Sequence, residues 1–178
     1  MQYVALLRGI NVGGNNAVSM AALRQLFETL GFMNVKTYIN SGNVLFSAPE
    51  QAVEVLISQC EQAIETSFGF KVICSVITAE DLTDALLHAP DWWGTGTGDK
   101  HNALFIIPPA TTAQVMSEVG EAKPEYEKVA AYGSVIFWSA PLKTFSRTRY
   151  SKIVGKQAYR SVTIRNSNTV KKLVKLIG

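Results

Sequence analysis

The segment Gly42-Asn-Val-Leu-Phe-Ser-Ala-Pro49 recurs in the second half of the 178-residue chain as Gly133-Ser-Val-Ile-Phe-Trp-Ser-Ala-Pro141, with one inserted residue. In both copies a glycine precedes a run of apolar residues that favour the extended conformation, and this composition predicts a β-strand. One match of this kind can arise by chance. It supports two related halves because the predicted order of elements around it also repeats.

The first half has helix and strand signals in a fixed order. Apolar residues at helical spacing follow Ser19 and Pro49, and the pair Ser41-Gly42 is a hairpin signal between two apolar runs. Ser19 is a suitable N-cap for the first helix, and Gly31 is a suitable stop. The predicted elements are strand 4–7, a helix between Ser19 and Gly31, strands 35–40 and 43–47, a helix after Pro49 and strand 71–77, in the order βαββαβ.

The same order returns after a connecting helix, which Thr78-Ala-Glu-Asp81 caps, and a Gly-rich loop. The predicted elements are strand 103–107, helix 112–119, strands 128–132 and 135–138, helix 148–159, strand 162–164 and a last helix with Val170, Leu173, Val174 and Ile177. We therefore predict an α+β fold of two ferredoxin-like βαββαβ units in tandem with an extra C-terminal helix. The predicted divisions are residues 1–78, a connection 79–100 and residues 101–178.

The predicted strands are apolar at consecutive positions, as in residues 4–7, 44–46 and 104–107. Consecutive apolar positions indicate that both faces of a strand are buried. A ferredoxin-like unit leaves one sheet face free of helices, so we predict that the two sheets, or their helices, pack against each other. This expectation argues against a sheet that reads RNA on an open face.

The acidic residues stop at Glu127. Residues 1–127 contain 14 Asp/Glu and 6 Lys/Arg, whereas residues 128–178 contain 11 Lys/Arg and no carboxylate side chain. A segment with charges of one sign cannot neutralise its own field through local ion pairs. These cations must pair with the acidic part of the chain, face water or bind an anion, and the last alternative predicts an anionic partner.

Composition indicates a globular protein, with 47% hydrophobic and 17% charged residues. No apolar run approaches the roughly 20 residues of a membrane-spanning helix, and the N-terminal sequence lacks the features of a signal peptide. We therefore expect a cytoplasmic location and no membrane partner. Cys60 and Cys74 lie in apolar patterns, which favours two reduced core thiols over a disulfide.

The loop Arg8-Gly-Ile-Asn-Val-Gly-Gly-Asn-Asn16 joins the first strand to the first helix. Glycines allow backbone N–H groups to approach a ligand, and a following helix N-terminus favours negative charge. The spacing matches neither G-x-G-x-x-G nor a P-loop, so the loop carries neither a dinucleotide-binding nor an NTP-binding motif, and we expect no cofactor. The alternative is a connection that needs positive φ angles, with Arg8 as an exposed charge at the end of a strand.

The segment Tyr38-Ile-Asn-Ser-Gly-Asn-Val44 places Asn40, Ser41 and Asn43 around one hairpin tip. These side chains could contact a ligand. Turn chemistry also accounts for them, because Asn and Gly accept left-handed dihedrals and Ser caps the backbone locally.

Two basic segments follow in the second half. If the segment Arg147 to Arg160 is helical, Arg149, Lys152, Lys156 and Arg160 share one face. This face either binds an anion or is a solvated helix face that pairs with Glu or Asp of the other half. In Thr163-Ile-Arg-Asn-Ser-Asn-Thr169, Arg165 precedes a helix that Asn166, Ser167 or Asn168 can cap. An arginine beside the free N–H groups of a helix N-terminus can bind a phosphate or carboxylate. The same residues are equally well explained as a helix cap with no ligand.

Recognised catalytic and metal-binding sets are missing from the sequence. The two histidines, His88 and His101, do not have ligand spacing to the cysteines, so we expect no metal. No G-x-S-x-G occurs, and the adjacent residues Ser151 and Lys152 would not face each other on a helix. The catalytic residues, if any exist, are therefore unknown.

The motifs Leu7-Arg-Gly-Ile-Asn-Val-Gly-Gly14, Tyr38-Ile-Asn-Ser-Gly-Asn-Val44, Ser151-Lys152 and Thr163-Ile-Arg-Asn-Ser-Asn-Thr169 resemble those of a bacterial family known as domain of unknown function 1697. The resemblance implies a cytoplasmic α/β protein with no established activity. Two residues depart from the expected pattern, since Asn40 replaces Gln and Ser167 replaces an aromatic residue. The signature positions that it implies are Arg8, Gly9, Asn11, Gly13, Gly14, Ser41, Gly42, Asn43, Arg165, Asn166 and Thr169.

Three functional hypotheses follow. The first is binding of a phosphate-bearing small molecule or a nucleic acid through Arg8, the Gly13–Gly14 backbone, Lys152 and Arg165. The second is an enzyme for a small anionic substrate, with Tyr38, Ser41 or Lys152 as acid, base or nucleophile. The third is an interaction module or dimer in which acidic and basic regions meet, and the sequence does not determine the oligomeric state. The candidate ligand-binding residues are Arg8, Gly9, Asn11, Gly13, Gly14, Asn40, Ser41, Asn43, Lys152, Arg165 and Asn166.

Overall fold

A computed structural model describes residues 1–177. By its internal contacts the chain divides into two compact units. The first unit contains Met1–Leu82 together with Leu176 and Ile177, and the second contains Thr83–Lys175. Each unit is described by itself below.

The first unit has a four-stranded antiparallel sheet with the order β2-β3-β1-β4. Its elements are β1 (Gln2–Arg8), α1 (Met20–Thr29), β2 (Met33–Tyr38), β3 (Asn43–Ser47), α2 (Val53–Phe68) and β4 (Ile73–Thr78). The predicted N-cap of α1 is confirmed, because Ser19 Oγ accepts a hydrogen bond from the Ala22 N–H at 3.1 Å. Helix α3 (Ala79–Leu87) follows β4, and Thr78 Oγ1 caps it by accepting from the Asp81 N–H at 3.0 Å.

The second unit repeats this strand order. Its elements are β5 (Asp99–Ile106), α4 (Thr112–Val119), β6 (Lys128–Tyr132), β7 (Val135–Pro141), β8 (Val162–Asn166) and α5 (Ser167–Ile177) up to Lys175. The antiparallel sheet has the order β6-β7-β5-β8. Strands β3 and β7, which carry the repeated sequence, therefore hold equivalent positions in the two sheets.

The predicted α-helix at 148–159 is wrong. One 3₁₀ helix, at Leu142–Arg147, precedes this segment, and two more, at Tyr150–Gly155 and Gln157–Ser161, replace the predicted helix. Lys156 separates the last two with an extended backbone, φ −110° and ψ 158°. Gly155 and the β-branched Ile153 and Val154 lower the helix propensity of this segment. The cations of this segment therefore do not share one face of an α-helix.

Both faces of the central strands are buried, as the consecutive apolar residues predicted. In β1 every residue from Tyr3 to Leu7 is buried, and in β7 every residue from Val135 to Ala140 is buried. Cys60 and Cys74 are free thiols in the core. No helix within residues 1–177 has the length and apolar character that crossing a membrane requires.

Candidate functional site

Two loops of the first unit, which we call the glycine loop (residues 8–16) and the turn (residues 38–43), are joined by hydrogen bonds. Asn11 Nδ2 donates to the Asn40 carbonyl oxygen at 2.9 Å. The same amide group donates to the Val18 carbonyl oxygen at 2.9 Å, and Asn11 Oδ1 accepts from the Val18 N–H at 2.8 Å. Asn11 therefore fixes the position of the turn relative to the start of α1.

The glycine loop needs left-handed backbone at several positions. Gly9, Gly13 and Gly14 have φ angles of 86°, 59° and 79°, and all three are exposed. A Cβ atom at any of these glycines would have no atom within 4 Å apart from its chain neighbours. The space over these peptide groups is therefore open, and a ligand can reach the backbone of Gly13 and Gly14 from solvent.

The turn contains a strained residue. Ile39 has a φ angle of 49°, a conformation that β-branched residues rarely adopt, and its side chain is exposed. Strain of this kind costs on the order of 1–3 kcal/mol and tends to occur at functional sites. The strain indicates that the conformation of the turn serves a role other than local stability.

Arg8 lies at the end of β1 beside the turn. The side chains of Tyr3 and Phe46 stack on the helix-covered face of the sheet, so the alternation of β1 directs Arg8 to the opposite face. Leu6 pairs with Asn43, and the Leu7 N–H donates to the Gly42 carbonyl oxygen at 2.8 Å. The end of β1, where Arg8 lies, is therefore adjacent to the turn.

The side chains of the turn have different exposures. Asn40 and Ser41 are exposed, whereas Asn43 is fully buried. Asn43 Nδ2 donates to the Tyr38 carbonyl oxygen at 2.9 Å and to Ser41 Oγ at 3.1 Å. Asn43 therefore shapes the turn, whereas Asn40 and Ser41 present polar atoms to solvent.

The second unit contains the other candidate residues. Arg165 is 8% exposed in β8, and its guanidinium Nη1 donates to the Ile164 carbonyl oxygen at 2.9 Å. Asn166 Oδ1 accepts from the Thr169 N–H at 2.9 Å, so Asn166 caps α5. Lys152 is exposed on the second 3₁₀ helix.

Several lysines of the second unit bind backbone carbonyls. Lys156 Nζ donates to the carbonyl oxygens of Glu118 and Val119, at 3.2 and 3.0 Å, at the C-terminus of α4. Lys171 Nζ donates to the Gly94 carbonyl oxygen at 2.7 Å. A lysine at a helix C-terminus is stabilised by the helix dipole, and it needs no carboxylate there.

Glu127, the last acidic residue of the chain, has a structural role that the sequence did not indicate. Its side chain is 4% exposed and accepts hydrogen bonds from the backbone N–H groups of Lys123, Arg149 and Tyr150, at 3.0, 2.7 and 3.1 Å. Burial raises the pKa of the Tyr150 hydroxyl to about 12, and the charge of Glu127 adds to the shift. Glu127 therefore organises the segment that replaces the predicted helix.

The charge difference follows the two units. Residues 83–175 contain 13 Lys/Arg and 7 Asp/Glu, an excess of six positive charges, whereas residues 1–82 contain 4 Lys/Arg and 7 Asp/Glu. Among the His, Cys, Asp and Glu side chains of residues 1–177, no group of three could hold a metal ion.

The eight candidate residues of the first unit all lie in the glycine loop and the turn, which the Asn11–Asn40 hydrogen bond joins. Lys152, Arg165 and Asn166 belong to the second unit.

Comparison with known proteins identifies relatives of this chain. The family described as "protein of unknown function (DUF1697)" matches residues 1–137. The structure of the conserved bacterial protein SP0830 from Streptococcus pneumoniae is similar over 99% of this chain and 98% of that chain, with 31% sequence identity and a TM-score of 0.87. No curated protein matches the sequence. The chain therefore belongs to the DUF1697 family, as the sequence motifs predicted.

Proposed function

We propose that this protein binds a small phosphate-bearing ligand at the glycine loop and the turn of the first unit. The joined loops are the observation that carries the proposal, because Asn11 bonds the turn at Asn40 to the glycine loop, in which Gly13 and Gly14 are exposed. Backbone N–H groups in a Gly-rich loop that precedes a helix form a common anion cradle. Arg8 supplies the positive charge beside this cradle.

The charge of the first unit favours a small ligand over a polyanion at this site. Its acidic residues outnumber its Lys/Arg by three, so its overall field does not attract a long polyanion. Arg8 is the only Lys or Arg in the glycine loop and the turn. A guanidinium group recognises a single phosphate group through charge-assisted, bidentate hydrogen bonds, which need no extended cationic surface.

Nucleic-acid binding by the second unit is a second candidate, and the excess of six positive charges in residues 83–175 favours it. The enzyme and interaction-module hypotheses stay predictions. We also propose that the two halves are tandem ferredoxin-like units, a description that the repeated strand order supports.

Calorimetric titrations with inorganic phosphate and ATP, repeated on Arg8→Gln, test the proposal. Arg24→Gln is a matched control, because Arg24 lies in the same unit, is exposed and pairs with Glu28 on α1. We expect Arg8→Gln to weaken binding at least tenfold, as the loss of a charged hydrogen bond implies, and Arg24→Gln to bind like the wild type. Equal binding by Arg8→Gln and the wild type would refute the proposal.

The salt dependence of binding separates the two candidates. A nucleic acid releases several counterions, so its affinity falls steeply with salt concentration, whereas a small anion gives a shallow slope. If phosphate or ATP binds with a shallow salt dependence and the Arg8→Gln variant weakens this binding, the result supports a site in the first unit. If an oligonucleotide binds with a steep salt dependence and Arg8→Gln leaves its affinity unchanged, the result supports a site in the second unit.

A further inference from the structure

A cavity of about 380 Å³ lies on the sheet of the second unit, remote in sequence from the glycine loop. Asp99, Lys128 and Ser139 contribute to its lining from β5, β6 and β7. Ser139 pairs with Lys128 on one side and with His101 on the other, whereas its neighbour Trp138 points into the core beneath the opposite face. The cavity therefore lies on the sheet face away from that core.

Two aromatic rings form part of the cavity wall. Trp92 and Tyr126 both line it, and both are half-buried, so each ring is held by the protein and still accessible. The faces of Trp and Tyr rings carry negative partial charge and attract cations. The wall is therefore suited to an organic cation.

The net charge of the lining has the opposite sign to the net charge of the unit. The lining contains the carboxylates of Asp99, Glu125 and Glu127 and the single ammonium group of Lys128. Glu127 is occupied by backbone N–H donors, so Asp99 and Glu125, which are exposed, are the carboxylates that a ligand can approach. A local excess of negative charge in a unit with six excess positive charges selects for a cation.

One of the aromatic rings already contacts a cation of the chain itself. The guanidinium carbon of Arg147 lies 5.8 Å from the centre of the Tyr126 ring. Arg147 is exposed, so solvent competes with this contact. The contact shows that the Tyr126 ring accepts a guanidinium group in this environment.

We propose that this cavity binds a small organic cation, an alkylammonium or guanidinium compound. Trp92 and Tyr126 contact the cationic group, and Asp99 and Glu125 neutralise it. Ser139, which is 4% exposed and whose Oγ lies 2.6 Å from His101 Nδ1, supplies a fixed polar group in the lining. Arg147 competes with the ligand for the Tyr126 ring. This site is independent of the phosphate site and has the opposite charge preference.

NMR titration of the ¹⁵N-labelled full chain with choline tests this proposal, with 3,3-dimethyl-1-butanol as the uncharged analogue of the same shape. The indole signals distinguish the sites, because Trp93 donates its Nε1–H to the Asn102 carbonyl oxygen at 2.7 Å and Trp138 lies in the core. We expect choline to shift the Trp92 indole signal saturably and to leave the signals of Trp93 and Trp138 in place. The alcohol should bind at least tenfold more weakly.

Variants complete the test. Trp92→Ala and Asp99→Asn should each weaken choline binding about tenfold, whereas Arg147→Ala should strengthen it. Asp91→Asn is the control for Asp99→Asn, because Asp91 is exposed in the loop that precedes β5 and does not line the cavity. Equal binding of choline and the alcohol, no response of the Trp92 signal, or unchanged affinity in both Trp92→Ala and Asp99→Asn would each overturn the proposal.

Discussion

The side-chain amide of Asn11 donates to the carbonyl oxygen of Asn40 at 2.9 Å and thereby joins two loops that are far apart in sequence. Asn11 itself has a left-handed backbone, with a φ angle of 54°. Asparagine tolerates this conformation better than most residues, and its amide group supplies both a donor and an acceptor. One residue therefore satisfies the backbone requirement of the glycine loop and sets the position of the turn.

Replacing Asn11 by Gly keeps the left-handed backbone and removes three hydrogen bonds. We expect Asn11→Gly to lower the free energy of unfolding by about 2 kcal/mol, and Asn15→Gly, in the same loop, to have a smaller effect. Urea unfolding measures both values. Hydrogen exchange at the Val18 amide, which donates to Asn11 Oδ1, should accelerate in Asn11→Gly alone. Equal losses in the two variants would contradict this role of Asn11.

Alanine substitutions at two glycines should have different costs. A Cβ atom at Gly42, where φ is 81°, would lie 2.7 Å from Ile10 Cδ1 and 2.9 Å from Leu7 Cβ. At Gly13, where φ is 59°, nothing lies within 4 Å. We expect Gly13→Ala to cost about 1 kcal/mol of backbone strain, and Gly42→Ala to cost about 1–3 kcal/mol more through overpacking. Urea unfolding that ranks the two variants in the opposite order would contradict close packing of Ile10 and Leu7 against Gly42.

The carboxylate of Glu127 should be a major source of stability in the second unit. Glu127→Gln replaces one acceptor oxygen by an amide group that cannot accept from a backbone N–H, and we expect a loss of about 3 kcal/mol in the free energy of unfolding. Glu125→Gln, at an exposed neighbour, should change it by less than about 0.5 kcal/mol. Urea unfolding of both variants measures the difference, and similar values would remove Glu127 from its structural role.

The raised pKa of Tyr150, next to Glu127, predicts a loss of folding stability at alkaline pH. Burial raises the pKa of Tyr150 from 10.0 to about 12, with a further contribution from Glu127. Because the folded state holds this proton more tightly than the unfolded state, the stabilisation is complete below pH 10 and is lost as the pH rises towards 12. Tyr150→Phe should therefore lose less stability than the wild type over this interval.

Urea unfolding at a series of pH values checks this difference, with Tyr126→Phe as the control. An ultraviolet titration should also show a tyrosine with a pKa of about 12 that is missing only in Tyr150→Phe. If Tyr150→Phe and the wild type lose the same stability between pH 10 and pH 12, Tyr150 is not the group responsible.

Local sequence patterns were sufficient for the strands and for most helices. Consecutive apolar residues in β1 and β7 correctly indicated strands that are buried on both faces, and Ser19 and Thr78 correctly marked the starts of α1 and α3. The failure at 148–159 has a tertiary cause. The N–H groups of Arg149 and Tyr150 bind the carboxylate of Glu127, which lies more than twenty residues earlier in the chain. A regular periodicity in the segment itself cannot reveal such a partner.

The candidate site was predictable to a similar extent. The glycines of the glycine loop and the polar residues of the turn marked two loops, but the bond from Asn11 to Asn40 depends on the register of β1 and β3. The strain at Ile39 was hidden as well, because nothing in its side chain suggests a left-handed backbone. Residue types thus identified the loops, and strand pairing determined which of their residues meet.

The most direct measurement for the central claim is an NMR titration of the ¹⁵N-labelled protein with inorganic phosphate and with ATP. We expect the amide signals of Gly13, Gly14 and Ser41 to shift saturably in the wild type and in Arg24→Gln, and to lose this response in Arg8→Gln. The amide of Gly69, at the end of α2, serves as the reference that stays in place. Shifts confined to the second unit, or shifts at Gly13 and Gly14 that persist unchanged in Arg8→Gln, would contradict a phosphate site at these loops.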